Sequence, residues 1–432
     1  MYLAHRSSTD STKSRVELAS RRPRRSPGVA LALVAILSAG AAFGAPARWT
    51  EAFASSSAKL QLAQDLPAQF AVLMAPAQYV GTLRYRLVLS SGGDGVRVRF
   101  SNESGDAPLH IAGASVGLAA GGKADDARPG TLIPLTFGGR REIRIPVGAP
   151  AISDPVHLKT SALTELVVSL FVPDGVRLIA AGGGAMSLGP GDQTRAAHLQ
   201  DAKPAPGRSV VSAVLVSSES RPLVVVALGD SITDGSRSSP DALHSWPEAL
   251  QRRITAKLGP NRIAIVNAGI AGNRVLLPGM GISALARLER DALNVPGVTH
   301  IVLLEGINDI GLSHFHPFFG PQPELRPEDL IAGYQQIIAR AHLRGVKVIG
   351  GTLMPWIGAS TYSAEKEVTR QAVNHWIRTS GAFDAVIDFE AAMMDAKNPG
   401  HIRADLETGD HLHPNDLGYR TMADAIDLKI FR

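Results

Sequence analysis

The spacing of apolar positions changes character at about residue 218. Between Gly81 and Ser217 apolar and polar residues alternate, as in Thr82–Ser90 (TLRYRLVLS) and Val96–Ser101 (VRVRFS). Alternation places one face of a strand inside and the other in water. Ser91-Gly92-Gly93-Asp94-Gly95 between these two runs reads as a hairpin-type turn. Further candidate strands are Leu109–Val116, Thr131–Thr136, Arg141–Pro146 and Leu166–Phe171, separated by Gly, Pro and Asp clusters. The pattern predicts an all-β sandwich domain over residues 48–217. Its first stretch, Trp49 to about Gln78, is rich in Ala, Ser and Gln and reads as a loosely packed entry segment.

From Leu223 the pattern becomes strand, helix, strand. Short apolar runs at Leu223–Leu228, Ile263–Val266, Ile301–Leu304, Val346–Thr352 and Ala385–Phe389 are separated by helical stretches. These helices are expected at about Ser245–Leu258, Ser283–Leu293, Pro327–Arg344, Ala364–Ser380 and Asn415–Leu428. Unbroken apolar runs suit strands buried on both faces. Alternation with helices predicts an α/β domain over residues 218–432, with a doubly wound, five-stranded parallel sheet.

Four polar stretches stand at the carboxyl ends of these runs or just before a helix: Gly229-Asp230-Ser231, Asn267 to Arg274 (NAGIAGNR), Gly306 to Asp309 (GIND) and Asp410 to Pro414 (DHLHP). Open α/β sheets place ligands at that edge. Taken singly, Ser231 reads as a capping hydroxyl, Gly269 and Gly272 as turn glycines, and Asn308-Asp309 as a cap. His411 and His413 read as surface histidines or, with Asp410, as metal ligands. Taken together they supply a nucleophile, a base, an orienting acid and two sets of hydrogen-bond donors, the inventory of ester hydrolysis.

In these blocks, GDSITDG, NAGIAGNR, GIND and DHLHP, in that order, the chain resembles the SGNH/GDSL hydrolase (esterase/lipase) family over about Leu223 to Phe431. Upstream, VRVRFSNESGDAPLHIAGASV and the GDQT at Gly191–Thr194 resemble the N-terminal β-sandwich of a bacterial exported subset. The resemblance implies a flavodoxin-like hydrolase fold and a carboxylic ester hydrolase acting through an acyl-enzyme. It also implies roles: Ser231 as nucleophile, His413 as base and then acid, Asp410 as the residue orienting His413. The N–H groups of Ser231 and Gly272 and the Asn308 amide would form the oxyanion hole. Asp309 and Asp230 read as structural, and His411 as a neighbour of the base rather than the base. No cofactor and no metal are implied. The substrate is a small-molecule or polysaccharide ester, short-chain acyl esters being favoured. A lipase, lysophospholipase or acyltransferase is the nearest alternative. A carbohydrate-binding protein with an inert hydrolase domain, or a metal hydrolase using Asp410, His411 and His413, belongs to another class.

Composition adjusts this picture at one end. The formal charge of +5 rests on 44 Lys/Arg against 39 Asp/Glu. Residues 1–47 hold seven of those cations and two of those acids, which leaves 37 of each sign in the remainder. The body is therefore formally neutral, which argues against nucleic-acid binding. The basic residues of the leader (Arg21, Arg22, Arg24, Arg25) precede an apolar run, Val29–Phe43, and small residues around Ala42–Ala47. That is the layout of a signal peptide, so export to the periplasm or exterior is expected, with no membrane span after cleavage. Ser20-Arg21-Arg22 hints at twin-arginine export, but Pro23-Arg24-Arg25 follows where apolar residues would be required. The chain has no cysteine, so disulfides contribute nothing and the core alone must hold the fold. Phe315, Phe318 and Phe319 after Asn308 read as a pocket wall.

Overall fold

The run beginning at Leu223 lies where its composition requires, in the middle of a sheet. Val224 to Leu228 are essentially inaccessible to water in the computed structural model of the protein. This structure describes residues 48–432 apart from 62–75, 122–125, 180–185, 240–243 and 317–319. The leader and most of the phenylalanine loop thus lie outside the described residues.

The parallel sheet has five strands in the order Ile263–Gly269, Leu223–Gly229, Val298–Leu304, Lys347–Gly351, Ala385–Ile387. All four pairings are parallel. In chain order this is 2-1-3-4-5, a doubly wound sheet whose direction of winding reverses at the Leu223–Gly229 strand. Helices Trp246–Leu258, Pro327–His342, Ala364–Thr379 and Asp416–Ala425 cover it. One apolar core joins Trp246, Leu250 and Ile254 to Tyr334, Ile337, Phe389 and Tyr419 across the strands. The helical stretch expected at Ser283–Leu293 forms two pieces, an α-helix over Ala284–Leu288 and a π-helical turn over Glu289–Leu293. The last helix stops at Ala425, and Leu428–Phe431 is a 3₁₀ turn that Asp427 caps. Among the described residues no helix is long and apolar enough to cross a membrane.

Upstream, the strands form antiparallel sheets. One sheet runs Trp49–Ala54, Val211–Ser217, Gly95–Ser101, Pro150–Ile152, with Val156–His157 also on Gly95–Ser101. The other runs Lys203–Pro204, Met186–Gly189, Ala77–Val88, Glu165–Leu178, Gly113–Leu118, Ile133–Leu135. Val96, Val98, Phe100, Val214 and Val216 from the first share a core with Leu83, Leu87, Val116, Val168 and Leu170 from the second. Two sheets closing on one interior is the arrangement of a sandwich.

Two expectations fail here. Ser91–Gly95 is not a hairpin turn: Ala77–Val88 pairs with Glu165–Leu178 and Met186–Gly189, whereas Gly95–Ser101 lies in the other sheet. The turn carries the chain from one layer to the other, so the apolar faces of both strands meet across the core. The backbone of Ser90 is held at this corner by the carbonyl of Ala52 at 2.8 Å. Nor is the start of the entry segment loose, most of the remainder (62–75) lying outside the described residues. Trp49–Ala54 is a strand paired with Val211–Ser217, and it packs beside Ile263–Gly269, the edge strand of the parallel sheet. An uncovered edge there would be a template for wrong pairing. Arg97 lies over the Trp49 ring at 5.0 Å from its centre, which anchors the start of the strand.

Candidate active site

Register sets the site. Gly229 pairs with Gly269 on one side and Leu304 on the other. The loops carrying Ser231, Gly272 and Asn308 therefore leave the sheet at one level, at the carboxyl edge where the winding reverses.

Each loop has a local cause. Asp230 caps the short helix Ser231–Asp234, accepting the N–H of Ile232 at 2.9 Å. Ser231 opens this helix, so its own N–H has no acceptor within it. Gly235 closes the helix in the left-handed region, φ 95°. Gly272 has φ 73°, and a Cβ there would sit 2.6 Å from Cγ of Met280; both facts require glycine. Asn308 lies in the helix Ile307–Gly311, and its amide donates to the carbonyl of Asn273 at 3.0 Å. The side-chain amide has a second proton to offer.

The fourth block meets the first. His413 Nε2 lies 2.9 Å from Ser231 Oγ, and His413 Nδ1 lies 2.7 Å from Asp410 Oδ2. The other Asp410 oxygen accepts the N–H groups of Leu412 (3.0 Å) and His413 (2.8 Å). This is an aspartate-anchored turn rather than a turn of helix. Pro414 precedes the cap Asn415 of the last helix and so stands outside its first turn. Partial burial pushes the Asp410 carboxyl up, but the N–H and imidazole of His413 outweigh it and hold the group below its usual range. Ser231 is buried and His413 only slightly exposed.

His411 is not in this chain of bonds. Its φ is 59°, its Nδ1 is 3.5 Å from Glu407, and its ring packs against Gly358. Arg237 approaches Asp410 from solvent at 3.8 Å. Asp309 accepts the N–H groups of Val275 (2.8 Å) and Leu276 (3.0 Å), tying the Gly306–Asp309 loop to the one after Gly272. Among the described residues no group of three or more His, Cys, Asp or Glu is arranged to hold a metal ion.

Sequence reasoning missed a polar layer beneath these loops. Arg287, fully buried, donates to Asn273 Oδ1 (2.9 Å), the Ala268 carbonyl (2.6 Å) and the Gly229 carbonyl (3.0 Å). It also faces Glu305 at 3.4 Å. Burial drives the carboxyls of Asp230, Glu305 and Asp309 upward; repulsion from Asp309 adds to it at Asp230, and repulsion from both aspartates adds to it at Glu305. Hydrogen bonds from Val275 and Leu276 limit Asp309 to about 6. Glu305 follows directly on a strand in LLEGIND, the one signal that could have drawn attention to it. A lone arginine in a helix carries no such signal.

Residues 227–421 match the model of the GDSL-like lipase/acylhydrolase family, and this part of the chain is a GDSL-like lipase/acylhydrolase domain. Solved structures share the likeness. The acetyl xylan esterase AlAXEase is 24% identical, over 47% of this chain and 97% of that one, with a TM-score of 0.38. A variant of the acetyl xylan esterase Axe2 from Geobacillus stearothermophilus is 21% identical, over 49% and 95%, TM-score 0.39. A GDSL-like lipase from Bacteroides thetaiotaomicron VPI-5482 is 18% identical, over 49% and 91%, TM-score 0.35. No curated protein matches the chain.

Proposed function

We propose that the protein is a serine esterase that hydrolyses short-chain carboxylic esters, exported by its leader. The observation that carries the reading is the continuous chain of short contacts Asp410–His413–Ser231. In acylation Ser231 Oγ attacks the ester carbonyl while His413 Nε2 takes its proton. His413 then gives that proton to the leaving alkoxide, and the alcohol departs. In deacylation a water attacks the acyl-enzyme, His413 takes the water's proton, and returns it to Ser231 Oγ as the acid is released. Asp410 orients the imidazole and balances the charge it gains. The negative oxygen of each tetrahedral intermediate is met by the N–H groups of Ser231 and Gly272 and the free amide proton of Asn308.

The alcohol half of the substrate is proposed to be carbohydrate, with acetyl as the acyl group. Support comes from the layout of residues 1–47, which would deliver the enzyme to the compartment of cell-wall and extracellular polysaccharide. The test is a panel of p-nitrophenyl esters from acetate to palmitate, run beside acetylated xylan and pectin. A rate that falls with acyl length and acetate release from a polysaccharide support the reading. A maximum at palmitate would replace it with a lipase.

A further inference from the structure

Arg208 belongs to the antiparallel half, three residues before the Val211–Ser217 strand, yet its contacts reach the active-site loops. Its side chain is 5% exposed. Nη1 donates to Asp234 Oδ1 at 2.8 Å, Nη2 to the Gly269 carbonyl at 2.7 Å, and Nε to the Ser56 carbonyl at 2.7 Å. Asp234 is the last residue of the helix that Ser231 opens. Gly269 is the last residue of the strand that leads to Gly272. The two already touch, since a Cβ on Gly269 would lie 2.2 Å from the Asp234 nitrogen. One planar cation thus spans the end of the nucleophile helix and the start of the neighbouring loop.

The third contact leads to the same loop by another route. Ser56 begins an arm that continues from the Trp49–Ala54 strand. The arm bridges antiparallel to Met280, with Gln61 N–H on the Gly279 carbonyl (2.8 Å) and Gly281 N–H on the Lys59 carbonyl (3.1 Å). Met280 is the side chain that abuts Gly272. Asn273 completes the link, donating its amide to the carbonyls of Met280 and Ile282, each at 2.9 Å. Arg290 grips the arm a second time through the Ser57 carbonyl at 3.0 Å.

We propose that Arg208 is a positioning residue of the site: with the arm it clamps, it fixes the loop bearing Gly272, so the antiparallel half is part of the catalytic unit. The proposal rests on the serine-esterase reading. Charge-assisted bonds from Nε, Nη1 and Nη2 to three separate acceptors suit a guanidinium and not an ammonium. Small displacements of a group that meets the transition state cost about 10²-fold in rate for 1 Å. Arg208 acts through Asp234 and the Gly269 and Ser56 carbonyls rather than on Ser231 or His413 directly, so the loss is expected in kcat.

The test measures kcat and KM for p-nitrophenyl acetate, and the rate at which a p-nitrophenyl phosphonate inactivates the enzyme. The variants are Arg208→Met, Arg208→Lys and Arg84→Met, all assayed well below their melting temperatures. Arg84 is an equally buried arginine of the antiparallel half, bonded to Ser169 and to the carbonyls of Ala196 and Ala197. Expected is a fall in kcat of about 10–100-fold for Arg208→Met, KM within about threefold, a parallel fall in inactivation rate, and an intermediate Arg208→Lys. Arg84→Met should melt lower with kcat unchanged. If Arg208→Met does not fold, Arg208→Lys decides alone. Wild-type kcat in the Arg208 variants, or an equal loss in Arg84→Met, overturns the proposal. Ser231→Ala is run beside them: if it keeps activity, the esterase reading falls, whatever Arg208 does.

Discussion

The two halves of the molecule bury polar side chains for opposite ends. In the antiparallel half they fasten loops to a sheet. Arg84 holds the Ala196 and Ala197 carbonyls, Thr82 donates to the Gly191 carbonyl at 2.6 Å, and Ser115 to that of Thr194 at 2.5 Å. Each is a donor meeting an acceptor, so these buried groups are satisfied by hydrogen bonds. At the carboxyl edge of the parallel sheet three carboxyls, Asp230, Glu305 and Asp309, lie close together with Arg287 beside them, and one Glu305 oxygen has no partner. That arrangement costs stability. Its location beneath the loops of Ser231, Gly272 and Asn308 shows what the cost accompanies: backbone held in place where a rigid scaffold alone would let it relax. Perturbed carboxyls gathered in this way make this edge a functional-site candidate.

The sharpest way to break this contrast is to remove the proposed nucleophile and base. Ser231→Ala should lower kcat by about 10⁴–10⁶-fold, and His413→Ala by nearly as much, since nucleophile and base act as a unit and their losses do not add. Far-UV circular dichroism should match the wild type in both, because neither side chain holds the sheet. Unchanged turnover in either would dissolve the triad.

Asn308→Ala comes next. Loss of one oxyanion donor costs about 10²–10³-fold in kcat with little change in KM. Asn308 also ties to the Asn273 carbonyl, so a small loss of melting temperature should accompany it. A change confined to KM would mean that the amide binds the ground state.

How much of this could be read in advance differs between the halves for a physical reason. In the parallel half each strand is buried on both faces and ends in its own loop, so runs of apolar residues marked the strands and the four blocks marked the edge and the candidate residues that the fold brings together. In the antiparallel half alternation marked strands such as Val96–Ser101 but not their partners. Pairing there depends on which sheet a chain turns into, and Ser91–Gly95 suits a hairpin or a crossover equally well. Trp49–Ala54 was hidden because its neighbours are small and polar. Arg208 and Arg287 were hidden because nothing local distinguishes a buried guanidinium from a solvated one; only long-range contacts do.

The buried carboxyls offer a pH test of the contrast. Their pKa values in the folded state lie above those of the unfolded chain, so the unfolded state releases protons first as pH rises. Stability from these groups is therefore fully present below the ordinary carboxylate range and lost as pH climbs through the raised values, to about 6 for Asp309. Asp230→Asn keeps a capping oxygen for Ile232, since Asn caps as well as Asp. It removes one charge from the cluster. Relative to wild type, the variant should gain on the order of 1–3 kcal/mol at pH 8 over its value at pH 5 in urea titrations. A variant that runs parallel to wild type across that range would mean that Asp230 is ionised throughout.

The smallest expected effect concerns the neighbour of the base. His411 shares a loop with His413 and sits beside Asp410, which makes it the natural rival. The geometry assigns it elsewhere. With φ at 59° its backbone turns the side chain away from Ser231, toward Glu407 and onto Gly358. The turn that presents His413 is built by Asp410 Oδ1 and two backbone N–H groups, none of which belongs to the His411 side chain. His411→Ala should therefore leave kcat within about threefold of wild type, against the 10⁴-fold or more expected for His413→Ala. Since a positive φ strains alanine as it does histidine, His411→Gly should melt slightly higher than His411→Ala while matching its activity. A dead His411→Ala beside an active His413→Ala would require the triad to be redrawn around Glu407. Loss of activity in His411→Ala that His411→Gly does not share would instead show that the loop's conformation rather than its second imidazole is what the site needs.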